Sequence, residues 1–444
     1  MAKGQIWETR PLEFWNKAKE LRAGWQKSIE SKDMVVGQGN TGMAGSDWGA
    51  AFPAIKIIED NPVGAMMQNK NEAYARRARL ASETRGWGRE ICGYQGNCWG
   101  GQFLGYIEDD TPWPKRKLVV PMPSQCDQHT KRGQQARDFE NMPQWNGDAC
   151  IYLGPHDAER NKHMLEHDTY CSLKILNDIE RIFGQWFDDE RFVELMNANK
   201  EIKGYSREIT ALMGRTIPSP LSVKDLYSVY TIGGLTRVDP GATLEFWRIV
   251  RDEVKWRAEN RIAAVGNERF RYMESNPPSW HYLKYYRYLE QYGACCIGSQ
   301  YSHMMSGMDF HLDPDGSIHF VEAEAYPDDT PINTREDAIR YGLGPDVRSP
   351  LAQPTQELIC PEEALVSFAK AMQADGALLA VWRGGIGCTQ LRKQHGMFLK
   401  KAGLSVLHYE GSQPGDRTDL DEKRLLDQLD TWMQSNGLRK FEEN

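Results

Sequence analysis

Long apolar runs are missing from this sequence of 444 residues. None approaches the ~18 consecutive apolar residues that a membrane-spanning helix needs, so no membrane role is expected. The opening residues, MAKGQIWETRPLEFW, carry no apolar stretch behind a basic start, and no secretory leader is expected from them. A GxxxxGK[ST] run is absent. The glycine-rich loop GQGNTGMAGSDWG follows an early strand pattern but does not fit GxGxxG with an acid about 20 residues later. Nucleotide binding therefore has no recognisable place in the chain. Positive charge is not in excess either: 54 Lys and Arg stand against 62 Asp and Glu, a net charge of -8, which argues against nucleic-acid binding. No CxxC pair occurs. The nine cysteines (Cys92, Cys98, Cys126, Cys150, Cys171, Cys295, Cys296, Cys360 and Cys388) are odd in number and widely spread. That spread predicts reduced thiols or metal ligands in a cytoplasmic protein, not a disulfide framework.

What is present reads as an ordinary soluble chain, 40% hydrophobic and 26% charged, long enough for two or three domains. The most informative stretch is GALLAVWRGGIGCTQLRKQHGMFLKKAGLSVLHYEG, residues 376–411. Residues 377–382 predict a strand buried on both faces. Gly384, Gly385 and Gly387 then deliver the chain to Cys388. Residues 389–402 predict a helix with Leu391, Met397, Phe398 and Ala402 as its apolar stripe, Gly403 stops it, and 404–409 form a second strand. Such a βαβ unit places Cys388 at the carboxyl end of a strand, where open α/β sheets bind ligands.

The remainder organises around that unit. Residues 1–31 predict a helical N-terminal arm, with Leu12, Trp15, Leu21 and Trp25 among charges. A first α/β domain is expected over 32–158. It would hold a strand at 34–37, the glycine-rich loop as an active-site loop, helices at 50–60 and 71–85, and strands at 62–67, 117–122 and 149–153. Residues 159–267 show apolar positions three and four apart and predict a helical middle segment. A second α/β domain spans 268–444. Cys295 and Cys296 sit in one of its strands as packing residues, a hairpin turns at Pro314-Asp315-Gly316, and a last amphipathic helix is capped by Asp419. The expected fold class is α/β: two Rossmann-like, flavodoxin-like parallel-sheet domains with a helical arm and a helical middle.

Cys126 repeats the setting of Cys388: an apolar strand, a short turn through Pro123-Ser124-Gln125, the cysteine, then a polar helix. Cys92 stands beside glycine in REICGYQGNCWGGQFLGYI. Three such thiolates suit a zinc ion or an iron–sulfur cluster. A catalytic thiol with His129 as its base, or three plain buried thiols, are the competing readings. Trp48, Tyr94 and Trp99 are candidate walls of a substrate pocket, with ordinary core as the alternative.

The runs CGYQGNCWGGQFLGY, PMPSQCDQHTK and GCTQLRKQHGMFLKKAGLSVLHYEGSQPGDRTDLDEKRLLDQLDTW resemble the 2-hydroxyacyl-CoA dehydratase and benzoyl-CoA reductase family. The resemblance covers most of 34–156 and 268–440. It implies a [4Fe–4S] cluster held by Cys92, Cys126 and Cys388, a homologous cluster-bearing partner subunit, and an ATP-hydrolysing iron–sulfur activator fed by ferredoxin. The wording around Cys126 is most similar to the larger cluster-bearing subunit of ATP-dependent benzoyl-CoA reductases. The implied substrate is an aromatic acyl-CoA, reduced to a cyclohexadiene carboxyl-CoA, with His129 as a possible proton donor. Dehydration of a 2-hydroxyacyl-CoA is the alternative reaction, and a cluster-storing scaffold the non-enzymatic one. One departure stands out: the helix after the glycine-rich loop, where dehydratases often place a glutamate, reads Phe52-Pro53-Ala54-Ile55.

Overall fold

The computed structural model describes residues 5–21, 34–38, 45–59, 72–89, 93–107, 111–113, 117–120, 134–135, 137–141, 143, 158–229, 232, 239–274, 282–299, 310–312, 318–320, 329–348, 362–381, 392–411 and 420–441. The first α/β unit opens with β1 (Met34–Gln38), a 3-10 helix over Gly45–Ala51, and β2 (Ile55–Glu59). The sequence predicts a helix over 50–60. Instead the 3-10 turn ends at Ala51, and the isoleucine-rich run Ile55-Lys56-Ile57-Ile58 pairs in parallel with β1, from Met34 on Ile55 to Gln38 on Glu59. Branched side chains lose less freedom on a pleated ladder than in a helix. The unit continues through α1 (Glu72–Glu83), α2 (Gly93–Leu104), the short antiparallel pair β3 (Tyr106–Ile107) and β4 (Thr111–Pro112), and β5 (Leu118–Val120). β5 pairs with the other side of β1, giving a parallel sheet of order β2-β1-β5. The strands expected at 62–67 and 149–153 lie outside the described residues.

Four helices follow: α3 (Ala158–Phe183), α4 (Asp189–Arg215), α5 (Val223–Val229) and α6 (Pro240–Glu259). Asp188 caps α4 by accepting from the Arg191 N–H, and Asp239 caps α6 by accepting from Ala242. Pro240 opens α6, where its missing N–H costs nothing. With 27 residues, α4 is ~40 Å long and serves both cores. Phe192 and Met196 pack in the first with Trp48, Phe52 and Ile175; Ile202, Ile209 and Met213 pack in the second.

The second unit contains β6 (Phe270–Glu274), α7 (Lys284–Glu290), β7 (Ala294–Ser299), the antiparallel pair β8 (Phe310–Leu312) and β9 (Ile318–Phe320), α8 (Arg335–Arg348), α9 (Glu362–Ala371), β10 (Gly376–Val381), α10 (Arg392–Lys401), β11 (Ser405–Glu410) and α11 (Glu422–Ser435). Its sheet is parallel, in the order β11-β10-β6-β7. Residues 377–380 and 294–297 are buried without interruption, as strands covered on both faces require. The chain is thus α/β with two parallel sheets. α8 crosses back to the first unit, where Ile339 and Tyr341 join its core and Arg335 pairs with Glu180 and Asp189.

The N-terminal segment departs from a continuous helix. Residues 5–12 form no helix, and among the described residues of the segment 15–21 are helical. The Trp7 N–H donates to the Gly266 carbonyl, and the Glu253 carboxylate of α6 accepts from the N–H groups of Glu13 and Phe14. Pro11, which lacks a donor, suits the part outside the helix. At the other end α11 is capped by Asp421 rather than Asp419, which lies outside the described residues. Cys295 and Cys296 are buried in β7 as expected, whereas Cys171 is half-buried with its sulfur 3.6 Å from His167 Nε2.

Candidate functional site

Both sheets share one ordering. In each, the second strand lies on one side of the first and the third strand on the other: β2-β1-β5 and β7-β6-β10. The chain therefore reverses direction between first and third strands, the point at which open α/β sheets bind ligands outside the carboxyl ends. Cys126 follows β5, the third strand of its sheet. Cys388 follows β10, the third strand of the other, and Cys92 directly precedes α2. The three cysteines and His129 lie outside the described residues, while the elements that carry them lie inside.

Glycines set where α2 can sit. A Cβ at Gly100 would stand 1.7 Å from the Ala78 carbonyl oxygen, and one at Gly96 would meet the Arg79 guanidinium at 2.4 Å. The Ser82 hydroxyl donates to the Gly96 carbonyl. α1 and α2 are therefore in backbone contact. Gln95, Asn97, Cys98 and Trp99 are all buried along α2. Both amide atoms of Asn97 and the Gln95 carbonyl oxygen have no partner among the described residues. An unmatched buried amide costs about 1–3 kcal/mol, so this helix calls for a polar neighbour. Trp99 packs on Trp87 with ring centroids 4.3 Å apart, and Trp48 packs edge-on to Phe52. Both indoles are core side chains at 0–1% exposure. Tyr94 stands on the first turn of α2, as the second residue of the helix.

α10, which follows the Cys388 segment, does not bury the predicted apolar stripe. Met397 is 67% exposed, and the inner face carries Arg392, His395, Gly396 and Leu399. The ring contact is close: a Cβ at Gly396 would lie 2.2 Å from His408 Cε1. His395 Nδ1 is 3.2 Å from Arg392 Nη1, and since arginine only donates, Nδ1 accepts and Nε2 carries the hydrogen. Burial, with the Arg392 charge adding to it, pulls His395 down to about 3, so the ring is neutral. Its Nε2 has no partner among the described residues.

The carboxyl end of β6 holds a further group. Glu274 is 3% exposed; its Oε1 accepts from the Tyr285 hydroxyl at 2.6 Å and its Oε2 from the Tyr286 hydroxyl at 2.5 Å. The two phenol rings stack, centroids 4.3 Å apart. Beside them, the Tyr227 and Ser299 hydroxyls are 2.6 Å apart at the end of β7. Burial pushes Glu274 up to about 7, with the two phenols drawing it partly back. Sequence reading missed this cluster, and its signal is modest. An acid closes an apolar strand just before Pro277-Pro278, and two adjacent tyrosines open the next helix.

A family model described as 2-hydroxyglutaryl-CoA dehydratase, D-component, matches residues 72–341, more than half of the chain. The chain belongs to the 2-hydroxyacyl-CoA dehydratase and benzoyl-CoA reductase family. Among curated proteins, none matches it. Members of this family bear an iron–sulfur cluster and act on acyl-CoA substrates with a partner activator subunit. The family match takes in Cys92 and Cys126 and ends before Cys388. Among the described residues no group of three or more His, Cys, Asp or Glu side chains is placed to hold a metal. Cys98, Cys295 and Cys296 are sealed in cores, and burial pushes the last two thiols well up, away from the thiolate form a ligand needs. The buried polar atoms of Asn97 and His395 have no partner among the described residues. Among the described residues no helix is long and apolar enough to cross a membrane.

Proposed function

We propose that this chain is the iron–sulfur subunit of an ATP-dependent benzoyl-CoA reductase, with Cys92, Cys126 and Cys388 ligating one [4Fe–4S] cluster. The observation that carries the reading is the shared strand order. Two sheets built alike each send a cysteine segment out beyond their third strand, and a third cysteine precedes a glycine-packed helix. When bound, the cluster supplies single electrons at low potential to a thioester-activated ring. This chain's own residues then hold the acyl group, exclude water and manage protons. Trp48 and Trp99 are buried core side chains, and Tyr94 stands on the first turn of α2. His129 remains a candidate proton carrier on the segment after Cys126. The expected partners are a homologous cluster-bearing subunit and an ATP-hydrolysing activator that draws on ferredoxin in the cytoplasm.

Anaerobically purified protein should be brown, with iron and sulfide in near-equal amounts, and Cys126→Ala should lose both. Colourless protein would sink the cluster assignment. The match to a dehydratase component favours a second reading, dehydration of a 2-hydroxyacyl-CoA. The two reactions differ in electron balance. Ring reduction consumes electrons at every turnover, so ATP hydrolysis must scale with diene; a dehydratase regains its electron and needs ATP only for priming. The complex, given reductant, ATP and benzoyl-CoA, should form diene in proportion to ATP used. Turnover of a 2-hydroxyacyl-CoA with catalytic ATP alone would favour the second reading.

A further inference from the structure

Resting on the reading of this site as a centre that reduces an acyl-CoA, we propose that Glu274 is its proton donor and that Tyr285 and Tyr286 are the positioning residues that hold it. The placement comes first. Glu274 is the last residue of β6, and β6 and β10 are the first and third strands of their sheet. Leu378 of β10 pairs with Glu274 itself. The carboxyl therefore stands at the reversal of strand order, on the edge from which the Cys388 segment leaves.

Two buried carboxyls lie on this strand and its approach, and their surroundings differ. Glu268, also buried, is paired with Arg271 at 2.7 Å and accepts the Ser219 N–H. It is a fixed structural carboxylate. Glu274 has no such partner among the described residues. The titratable groups facing it are Tyr272 from β6, Tyr285 and Tyr286 from α7, and Cys296 from β7, with Tyr227 of α5 and Tyr409 of β11 behind the tyrosine pair. None of these is basic. Two phenolic hydroxyls instead fix the carboxyl in place, and they donate to it after it ionises. A carboxyl held this way can give up a proton and take it back without moving. Its titration near 7, raised by burial, matches what general acid catalysis wants at neutral pH.

The chemistry balances. Reducing one aromatic ring to a diene takes two electrons, delivered singly by a low-potential iron–sulfur donor of the ferredoxin class, and two protons. One of those protons comes from Glu274, whose O–H bond breaks as a C–H bond forms on the reduced ring, and the other comes from water. The resulting carboxylate accepts both phenolic hydrogens, and a proton from solvent restores it before the next turnover.

The test uses the anaerobically assembled complex with benzoyl-CoA as probe. Glu274→Gln keeps the shape of the side chain. Assembly and iron content should be unchanged, turnover should fall at least ~100-fold, and the limb of the pH–rate profile near 7 should vanish. Infrared difference spectra on adding benzoyl-CoA should show a protonated-carboxyl band that the variant lacks. Tyr286→Phe removes a donor to the ionised form, so it should keep activity while moving that limb to higher pH. An active wild type with an equally active Glu274→Gln overturns the inference alone, as does a pH limb that Tyr286→Phe leaves in place. A wild-type complex that turns over neither benzoyl-CoA nor a 2-hydroxyacyl-CoA overturns the reading of the site, and this inference with it.

Discussion

Arg271 Nη1 and Glu268 Oε1 meet 2.7 Å apart, and neither side chain reaches solvent. The remaining donors of Arg271 go to the carbonyls of Met213, Gly214, Thr216 and Met372. One guanidinium thus ties the end of α4 and the chain after α9 to the middle of β6. Burial pushes Glu268 up even beside the arginine, which measures how costly the isolated carboxylate would be.

Removing one partner of such a pair is therefore worse than removing both. Arg271→Met should destabilise the protein by ~3–5 kcal/mol, because it strands a buried charge and four carbonyls. Adding Glu268→Gln should recover part of that loss, and the pair should be non-additive. Denaturant unfolding of the two single variants and the double variant checks this. A double variant no more stable than Arg271→Met would show that the carbonyl contacts, not the ion pair, carry the effect.

How far the sequence spoke depends on the kind of signal. The strand at 376–381 was legible because burial on both faces leaves no polar position to blur it. The strand at 55–59 was hidden by its neighbours: Ala50-Ala51 favour helix, and the parallel partner that makes a strand of Ile55 onward lies about 20 residues back. α10 misled for a different reason. Periodicity assumes that an inner face is apolar, yet here it bears Arg392 and His395, which meet each other one turn apart on the helix itself. The cysteine settings could be read locally. The Glu274 cluster could not, since its members come from a strand end and a helix ten residues further on.

Glycine to alanine in a helix ordinarily gains about 0.5–1 kcal/mol. A Cβ added at Gly204 of α4 would meet no atom within 4 Å, so Gly204→Ala should raise stability by about that amount. At Gly100 the same methyl would stand 1.7 Å from the Ala78 backbone oxygen, and backbone cannot yield cheaply. Gly100→Ala should destabilise by at least ~1–3 kcal/mol. If α2 holds Cys92 in place, it should also lower iron retention. Melting temperatures and iron content of the two variants, measured side by side, decide it; a neutral Gly100→Ala would contradict the backbone contact.

Three cysteines should be inert in the folded protein. Cys98, Cys295 and Cys296 are buried, and the thiolate is the species that alkylates. Brief iodoacetamide treatment of the native chain should leave them unmodified by mass spectrometry, and all three should react after denaturation. Cys296→Ser should leave iron content unchanged. Native labelling of Cys295 or Cys296 would mean that the β7 edge opens far more readily than its packing suggests.

The proton held by Glu274 should appear in stability as well as in turnover. The folded carboxyl titrates near 7 against an ordinary value of 4.5, so between those values the folded state keeps a proton that the unfolded chain releases. Stability from this group is complete below about 4.5 and is lost as pH rises through 7. At 1.36 kcal/mol per pH unit, the loss amounts to ~3 kcal/mol by pH 8, a sizeable part of the 5–15 kcal/mol typical of a folded protein. Glu274→Gln has nothing to ionise. Its melting temperature relative to wild type should therefore climb between pH 5 and pH 8, whatever constant offset the amide brings. A difference that stays flat over that range would mean the carboxyl is already ionised at pH 5, and the arrangement of Tyr285 and Tyr286 would then be that of a permanent carboxylate.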